Sequence, residues 1–377
     1  MELDFFSQSL AEICRHSLVS PGRPLRWTVI ANPGAGGFVI RSRRKAHIRT
    51  FREYRQKALE NPSREIHEKS CFLFTEEKKG SGEEIARNLI DEAAKDTTPF
   101  YLIITASGDG TCLEVLTAIY NTPAYVRFNM AVLRLPMGTG NDSADSAKLA
   151  GALDLLIKPV YISFAPALRL ITALGGPAYE KGQFIAFNIL SVGLDAFVTH
   201  ITNKIKRKFP GDSYKLCVDI AVLFYERLYK VDYIEASAFD KQNLKIRAFR
   251  EKLLLLAMGV SGHRTYGAGK KILPDERNVC GIKQTTLSGK VALRNLVVTG
   301  RHEEDPNTIL FSARRIEFSA ANPILAQMDG ETVLLQPQDF PAAIEITAPV
   351  IPLLKRLSEI KPDKPNHENS YSSSLDE

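Results

Sequence analysis

At 377 residues, the chain exceeds what one hydrophobic core usually supports, so two domains are expected. Hydrophobic residues make up 44%, charged residues 24% and aromatics 8%, which excludes a disordered, collagenous or membrane-embedded chain. Net charge is +6, and five scattered cysteines without a CxxC pair argue against a disulfide framework or a zinc site and for a reducing, cytoplasmic setting.

The N-terminus, "MELDFFSQSLAEICRHSL", carries two early acids and no basic stretch, so no signal peptide is expected. No apolar run approaches the length of a membrane span. "RWTVIAN" (26–32) reads as a buried strand, followed by a charged helix over about 38–60. Six of the twelve residues from Arg41 to Arg52 are Lys or Arg, and "KIKRK" (204–208) is a second basic cluster; both suit phosphates or anionic headgroups as well as a solvated face. "CFLFT" (71–75) is a second strand. Ser81 and Glu84 then stand at capping-box spacing ahead of a helix over 81–95. "YLIIT" (101–105), a helix from Cys112 and "MAVLRL" (130–135) continue the alternation. Strand–helix repeats of this kind build a parallel, Rossmann-like sheet covered by helices.

Beyond Pro159 the texture changes. "QFIAFNILSVG", "KLLLLAMGVSG", "KVALRNLVVTG", "TILFSARRIEFSA" and "AAIEITAPV" predict strands of an antiparallel β-sandwich. A single helix over 213–231 interrupts them. Its apolar face, preceded by "KIKRKF", fits either an interfacial or a core-facing helix. The segment 361–377 lacks any apolar period and is expected to be disordered. The domain boundaries are therefore placed at 25–158 for the α/β domain and 159–348 for the β domain.

Three glycine loops follow three of the predicted parallel strands: "ANPGAGG" (31–37), "SGDG" (107–110) and "LPMGTGND" (135–142). Ligands on such sheets bind beyond the carboxyl ends of the strands, where loop amides and helix dipoles favour anions. Glycine lets the backbone approach phosphate oxygens. Asp109, between Gly108 and Gly110, would repel phosphates unless it meets Mg²⁺, a hydroxyl or a proton. Neither GxxxxGK[ST] nor GxGxxG occurs, which excludes a P-loop or a standard dinucleotide fold.

In order, "NPGAGG", "SGDGT…EV" and "PMGTGND" resemble the three N-terminal motifs of the diacylglycerol kinase catalytic family, which includes bacterial lipid kinases and sphingosine kinases and is distantly related to NAD kinases. "FNILSVGLDA" (187–196) and "QMDGET" (327–332) resemble its later motifs. The resemblance spans about residues 26–356. It implies an active site in a cleft between the α/β domain and the β-sandwich, with 349–360 returning to the first domain as a short helix. It also implies an ATP- and Mg²⁺-dependent kinase acting on a diacylglycerol-like or sphingoid lipid. NAD kinase chemistry and a nucleotide-binding regulator without turnover are the alternatives.

By the same resemblance, Asn32, Pro33, Gly34, Gly36, Ser107, Gly108, Asp109, Gly110, Thr111, Gly138, Thr139, Gly140 and Asn141 would contact the nucleotide. Asp329 is the favoured base, Asp109 its rival, and Glu331 would hold Asp329 or a metal ion, with Asp109 and Glu331 as metal ligands. Asp142 and Asp195 are assigned to the acceptor side. Asn278, Val279 and Cys280 replace the acidic pair that supports a structural Mg²⁺ in some relatives, so this second metal site is not expected. The expected partners are a lipid substrate and, peripherally, an anionic membrane surface on the cytoplasmic side. No nucleic acid is expected, and a homodimer stays open.

Overall fold

The computed structural model describes residues 3–359 apart from 139–140, 142–143, 207–224, 226–228 and 267–268. The expected tail over 361–377, nearly all of the helix expected over 213–231, and the site residues Thr139, Gly140 and Asp142 lie outside these described residues.

The first sheet has six strands in the order Cys71–Phe74, Leu25–Ala31, Phe100–Ser107, Met130–Pro136, Ile351–Arg356 and Val160–Ala165. The first four run parallel. Every residue of Leu25–Ala31 and of Phe100–Ser107 is buried, as expected where helices cover both faces of a parallel sheet. Because side chains alternate along a strand, Val29, Leu102 and Ile104 pack against the helices Leu3–Arg15, Arg41–Ala58 and Leu149–Ile157. Ile30, Ile103 and Val132 pack against Ser81–Lys95 and Asp109–Tyr120 on the other face. That second core also takes in Ala167, Ile185 and Phe187, so the seam with the β domain is apolar.

The other region is an antiparallel sheet of eleven strands. Its longest strand, Lys245–Gly259, changes partners halfway. Lys245–Lys252 pairs with Tyr233–Phe239, and Leu253–Gly259 lies between Ile189–Gly193 and Val279–Lys283. One strand thus serves both layers and curls the sheet around Leu168, Val192, Leu256, Ile316 and Phe318. An outer core of Phe197, Leu254, Leu255, Leu293 and Val297 lies beneath the helices Leu194–Lys206 and Leu287–Thr299.

Several expectations are corrected. "KVALRNLVVTG" is not a strand but most of the helix Leu287–Thr299. Thr286 caps its start, its Oγ1 accepting the Gly289 amide at 3.2 Å, and Gly300 ends it in the left-handed region at φ 80°. Caps at both ends, with Leu293 and Val297 buried four residues apart, outweigh the β-branched composition. The segment 349–360 returns to the first sheet as the strand Ile351–Arg356, not as a helix. Leu353 registers with Val132 on one side, and Pro352 with Phe164 on the other. Burial between two strands outweighs a helix too short to nucleate alone. Val160–Ala165 also pairs in the first sheet, so the change of sheet falls after Ala165 and not at the change in texture near 158. The charged helix is broken at the extended Ile40 into Gly36–Val39 and Arg41–Ala58. Leu3–Arg15 and Leu194–Lys206 are helices absent from the pattern read along the chain.

Candidate active site

The strands Leu25–Ala31, Phe100–Ser107 and Met130–Pro136 end at one edge, with Ala31 beside Ala106 and Ser107 beside Pro136. The three glycine loops therefore leave side by side, and they touch. A Cβ on Gly138 would stand 2.7 Å from the Gly108 Cα and 3.1 Å from Asn141 Oδ1. Glycine at 138 is thus required by the close approach of two backbones. Asn32 ties the first loop to the second: its Oδ1 accepts the Gly34 amide at 2.9 Å, and its Nδ2 donates to Thr111 Oγ1 at 3.4 Å. The first and third loops meet where the Gly37 amide donates to the Met137 carbonyl at 2.7 Å. Arg43, in the basic helix, donates to the Gly138 carbonyl at 2.6 Å. Gly108 caps the helix Asp109–Tyr120, which directs its N-terminal amides to this edge. Pro33 and Gly34 form the first loop's turn, and Gly36 opens the short helix after it. Ser107 is buried, its Oγ donating to the Gly108 carbonyl at 3.2 Å, while a Cβ on Gly110 would face open space. Asn141 adopts φ 60°.

Two carboxylates that had been given no role, one of them the Glu of "SGDGT…EV", fix the surroundings of these loops. Glu114 Oε1 accepts the Gly80 amide at 2.7 Å and its Oε2 accepts the Gly82 amide at 3.0 Å. The start of Ser81–Lys95 is thereby capped from a neighbouring helix. The Ser81–Glu84 capping box does not form, because Gly80 is the N-cap and Ser81 Oγ accepts the Glu76 amide instead. Asp145 holds the third loop. Its Oδ1 accepts Arg134 Nη2 at 2.6 Å and Nε at 3.1 Å, and its Oδ2 accepts the Arg134 backbone amide at 2.7 Å. The side chains are only 12% and 3% exposed. Burial pulls the Arg134 guanidinium down, but Asp145 more than offsets this and leaves it raised. Ser107, Gly108, Asp109, Arg134 and Asn141 line a small open pocket.

The opposite wall is the hairpin of Ile324–Met328 and Glu331–Leu335. Its two-residue loop, Asp329 and Gly330, has φ 44° and 102°, the positive values that a primed turn requires. The turn aims the Asp329 carboxylate back across the sheet. There it accepts three successive backbone amides: Phe187, Asn188 (3.1 Å to Oδ2) and Ile189 (3.0 Å to Oδ1). Burial pushes Asp329 up to about 6 even though these amides favour the ionised form, and the negative charge of Asp109 adds to the rise. The Asp329 charge in turn acts on Arg134 and on Arg264. The site thus brings Asp109 and Arg134, from the parallel-sheet side, into electrostatic contact with Asp329 and Arg264, from the antiparallel side.

Asp195 supports this hairpin from behind. Its Oδ2 accepts Ser191 Oγ at 2.6 Å and Gln327 Nε2 at 3.1 Å, while Gln327 Oε1 accepts the Gly330 amide at 3.1 Å. All three residues are buried. Asp195, expected on the acceptor side, is part of the scaffold of the turn. Glu331, expected to hold Asp329 or a metal ion, takes Lys79 Nζ at 2.6 Å across the seam. Among the described residues, no cluster of three or more His, Cys, Asp or Glu side chains is gathered for a metal ion. At the position of the relatives' acidic pair, Asn278 is buried. Its Oδ1 accepts the Ala313 amide at 2.9 Å, and its Nδ2 donates to the Ala313 carbonyl at 2.9 Å.

Sequence reasoning missed Arg134, Asp145, Arg264, Gln327 and the amides of residues 187–189. Asp145 lies eleven residues after Arg134 and belongs to no motif. Backbone amides leave no trace in a side-chain pattern.

The "Diacylglycerol kinase catalytic domain" model matches residues 26–162, which hold all three glycine loops. The chain is 26% identical over 249 residues, 65% of its length and 76% of theirs, to proteins named "Probable lipid kinase YegS-like" from Yersinia pestis (strain Pestoides F) and Yersinia pseudotuberculosis serotype O:3 (strain YPIII). A crystal structure of a diacylglycerol kinase from Bacillus anthracis str. Sterne aligns at TM-score 0.52 and 14% identity, over 89% of this chain and 98% of that one. Another from the same strain reaches TM-score 0.56 at 16% identity, and at such identities the likeness speaks for the fold alone. With the converging loops, these matches make residues 26–162 similar to a diacylglycerol kinase catalytic domain, in a chain whose relatives are named as lipid kinases.

Proposed function

We propose that the protein is an ATP- and Mg²⁺-dependent lipid kinase, which phosphorylates a hydroxyl of a diacylglycerol-like or sphingoid lipid at the cytoplasmic face of a membrane. The observation that carries this reading is the Asp329 carboxylate, fixed by three amides and raised to about 6 opposite the glycine loops. A base with that affinity is largely ionised at pH 7, yet basic enough to take a proton from an alcohol in the transition state.

In this scheme the loop amides and the start of Asp109–Tyr120 bind the triphosphate and hold its γ-phosphorus in line with the acceptor. The acceptor oxygen forms its bond to the γ-phosphorus as the bond to the bridging oxygen of ADP breaks, and the hydroxyl proton passes to Asp329. Arg134, held charged by Asp145, adds positive field at the pocket wall. Asp109 and Asp329 repel one another across the seam. That excess of negative charge fits a cation that Asp109 would hold together with the nucleotide phosphates, as Mg²⁺ usually requires only one or two carboxylates. The ion would neutralise charge on the transferring group. The match to the diacylglycerol kinase domain favours a lipid over NAD as acceptor.

Asp329→Asn tests the assignment. Phosphoryl transfer is expected to fall about 10²- to 10⁴-fold, with nucleotide affinity by calorimetry little changed. Loss confined to Asp109→Asn would move the base into the glycine loop.

A further inference from the structure

Asn188 holds more than the Asp329 carboxylate. Its carbonyl accepts the Val260 amide at 3.1 Å, and its Nδ2 donates to the Thr265 carbonyl at 3.0 Å. The loop from Val260 to Thr265 is therefore clamped at both ends to the residue whose own amide donates to Asp329. Its middle is pinned as well. The His263 amide donates to the Asp275 carbonyl at 2.7 Å, and a Cβ on Gly262 would collide with that same carbonyl. The strand Arg264–Tyr266 leaves this loop paired with Lys270–Leu273. Arg264 thus has a fixed origin beside Asp329.

Its protein partners do not account for it. Arg264 is half-buried, and its one hydrogen bond among the described residues runs from Nε to Ser261 Oγ at 3.1 Å. Among those residues Nη1 and Nη2 meet no acceptor, and no carboxylate stands within ion-pair distance. The acids that follow in the chain are engaged elsewhere: Asp275 accepts Arg277 Nε at 2.9 Å, and Glu276 lies 3.3 Å from His263 Nε2. Arg134, the other arginine of the site, is by contrast saturated by Asp145. Burial and the Arg134 charge both pull the Arg264 guanidinium down, and the Asp329 charge acts the other way. A half-buried cation with open N–H donors, pressed by a second cation, fits an incoming oxyanion.

We propose that Arg264 is a catalytic residue that receives the γ-phosphoryl group of the nucleotide and stabilises it as it moves to the acceptor. Its position relative to the two walls selects that phosphate. The glycine loops hold the inner phosphates on one wall, while the acceptor hydroxyl sits between Asp329 and the γ-phosphorus, about 3–3.5 Å from the latter. A guanidinium rooted beside Asp329 therefore meets the outermost phosphate, and its planar fork matches two oxygens of that group. As the acceptor oxygen bonds to phosphorus and the bond to the ADP oxygen breaks, the hydroxyl proton goes to Asp329. Arg264 donates hydrogen bonds to the shifting charge and transfers no proton. This role deepens the kinase reading and rests on it.

The test is calorimetry of the full chain with Mg²⁺, comparing ADP with the non-hydrolysable β,γ-imido analogue of ATP, which adds the γ-phosphoryl group. Wild type should favour the triphosphate. Arg264→Gln should lose about tenfold of that preference, with ADP affinity and thermal unfolding as in wild type. Arg264→Lys, which keeps the charge without the fork, should lie between the two. With a lipid acceptor, kcat of Arg264→Gln should fall about 10²- to 10³-fold and stay low when the pH is raised to about 8. Recovery at that pH would show that Arg264 only tunes the proton affinity of Asp329, and would overturn the proposal. An unchanged nucleotide preference would also overturn it, leaving the guanidinium to an anionic group of the acceptor. So would an equal loss of ADP and triphosphate binding in both variants. A lost triphosphate preference, with no phosphoryl transfer to any lipid by wild type, would uphold the γ-phosphate contact and sink the lipid-kinase reading.

Discussion

The two walls of the site are built by opposite means. The glycine-loop wall is local: each loop follows its own strand, and the loops meet because parallel strands end together. Its working groups are mostly backbone amides, and its key requirement is the absence of a Cβ where Gly138 crosses Gly108. The Asp329 wall is non-local: one side chain on a two-residue turn is held by amides about 140 residues earlier. A phosphate cradle needs many weak donors, which a backbone supplies. A base needs one group with a shifted proton affinity, which burial across a sheet supplies.

Perturbing each wall separately sharpens that contrast. The largest stability effect is expected from Asp145→Asn, which leaves the buried Arg134 without its full partner. Removing one member of such a pair costs about 3–5 kcal/mol, read as a large drop in unfolding free energy in denaturant. Gly138→Ala comes next. With a new Cβ 2.7 Å from the Gly108 Cα, the loops must part, at about 1–3 kcal/mol of stability and with weaker nucleotide binding by calorimetry. Proton affinity at the Asp329 wall should be unaffected by that change.

The next effect is on pH dependence. A base raised to about 6 is ionised above that value, so kcat/KM should rise with pH through about 6 and then level off. Removing the Asp109 charge should move the midpoint of the residual activity of Asp109→Asn downward. An unmoved midpoint would separate the two walls electrostatically and break the account of their coupling. The smallest effect is expected from Lys79→Ala. Its pair with Glu331 joins side chains 76% and 43% exposed, so solvent screening holds its contribution to less than about 1 kcal/mol by thermal unfolding.

The first wall was largely legible in the sequence because its signals are local. Glycines at fixed offsets after buried apolar runs specify where backbone approaches backbone, and Gly108 and Gly138 do so. The "DG" of the second wall was legible as a carboxylate through the likeness of "QMDGET" to a known motif, and in the structure a primed turn and an inward-facing acid occupy the same two residues. What held each wall in place was not legible. Asp145, Gln327 and Glu114 act through partners that only the fold brings near, and Asp195 and Glu331 also make contacts of this kind. The helix Leu287–Thr299 was misread because its β-branched residues obscured a Thr cap and a Gly stop that lie just outside the apolar run.

The most direct test of the central claim is transfer of labelled γ-phosphate from ATP with Mg²⁺ to a panel of diacylglycerol, monoacylglycerol, sphingosine, ceramide, phosphatidylglycerol and NAD. The account predicts label in a lipid phosphate, and its loss in Asp329→Asn. Label in NAD alone, or ATP bound with no transfer to any acceptor, would contradict it.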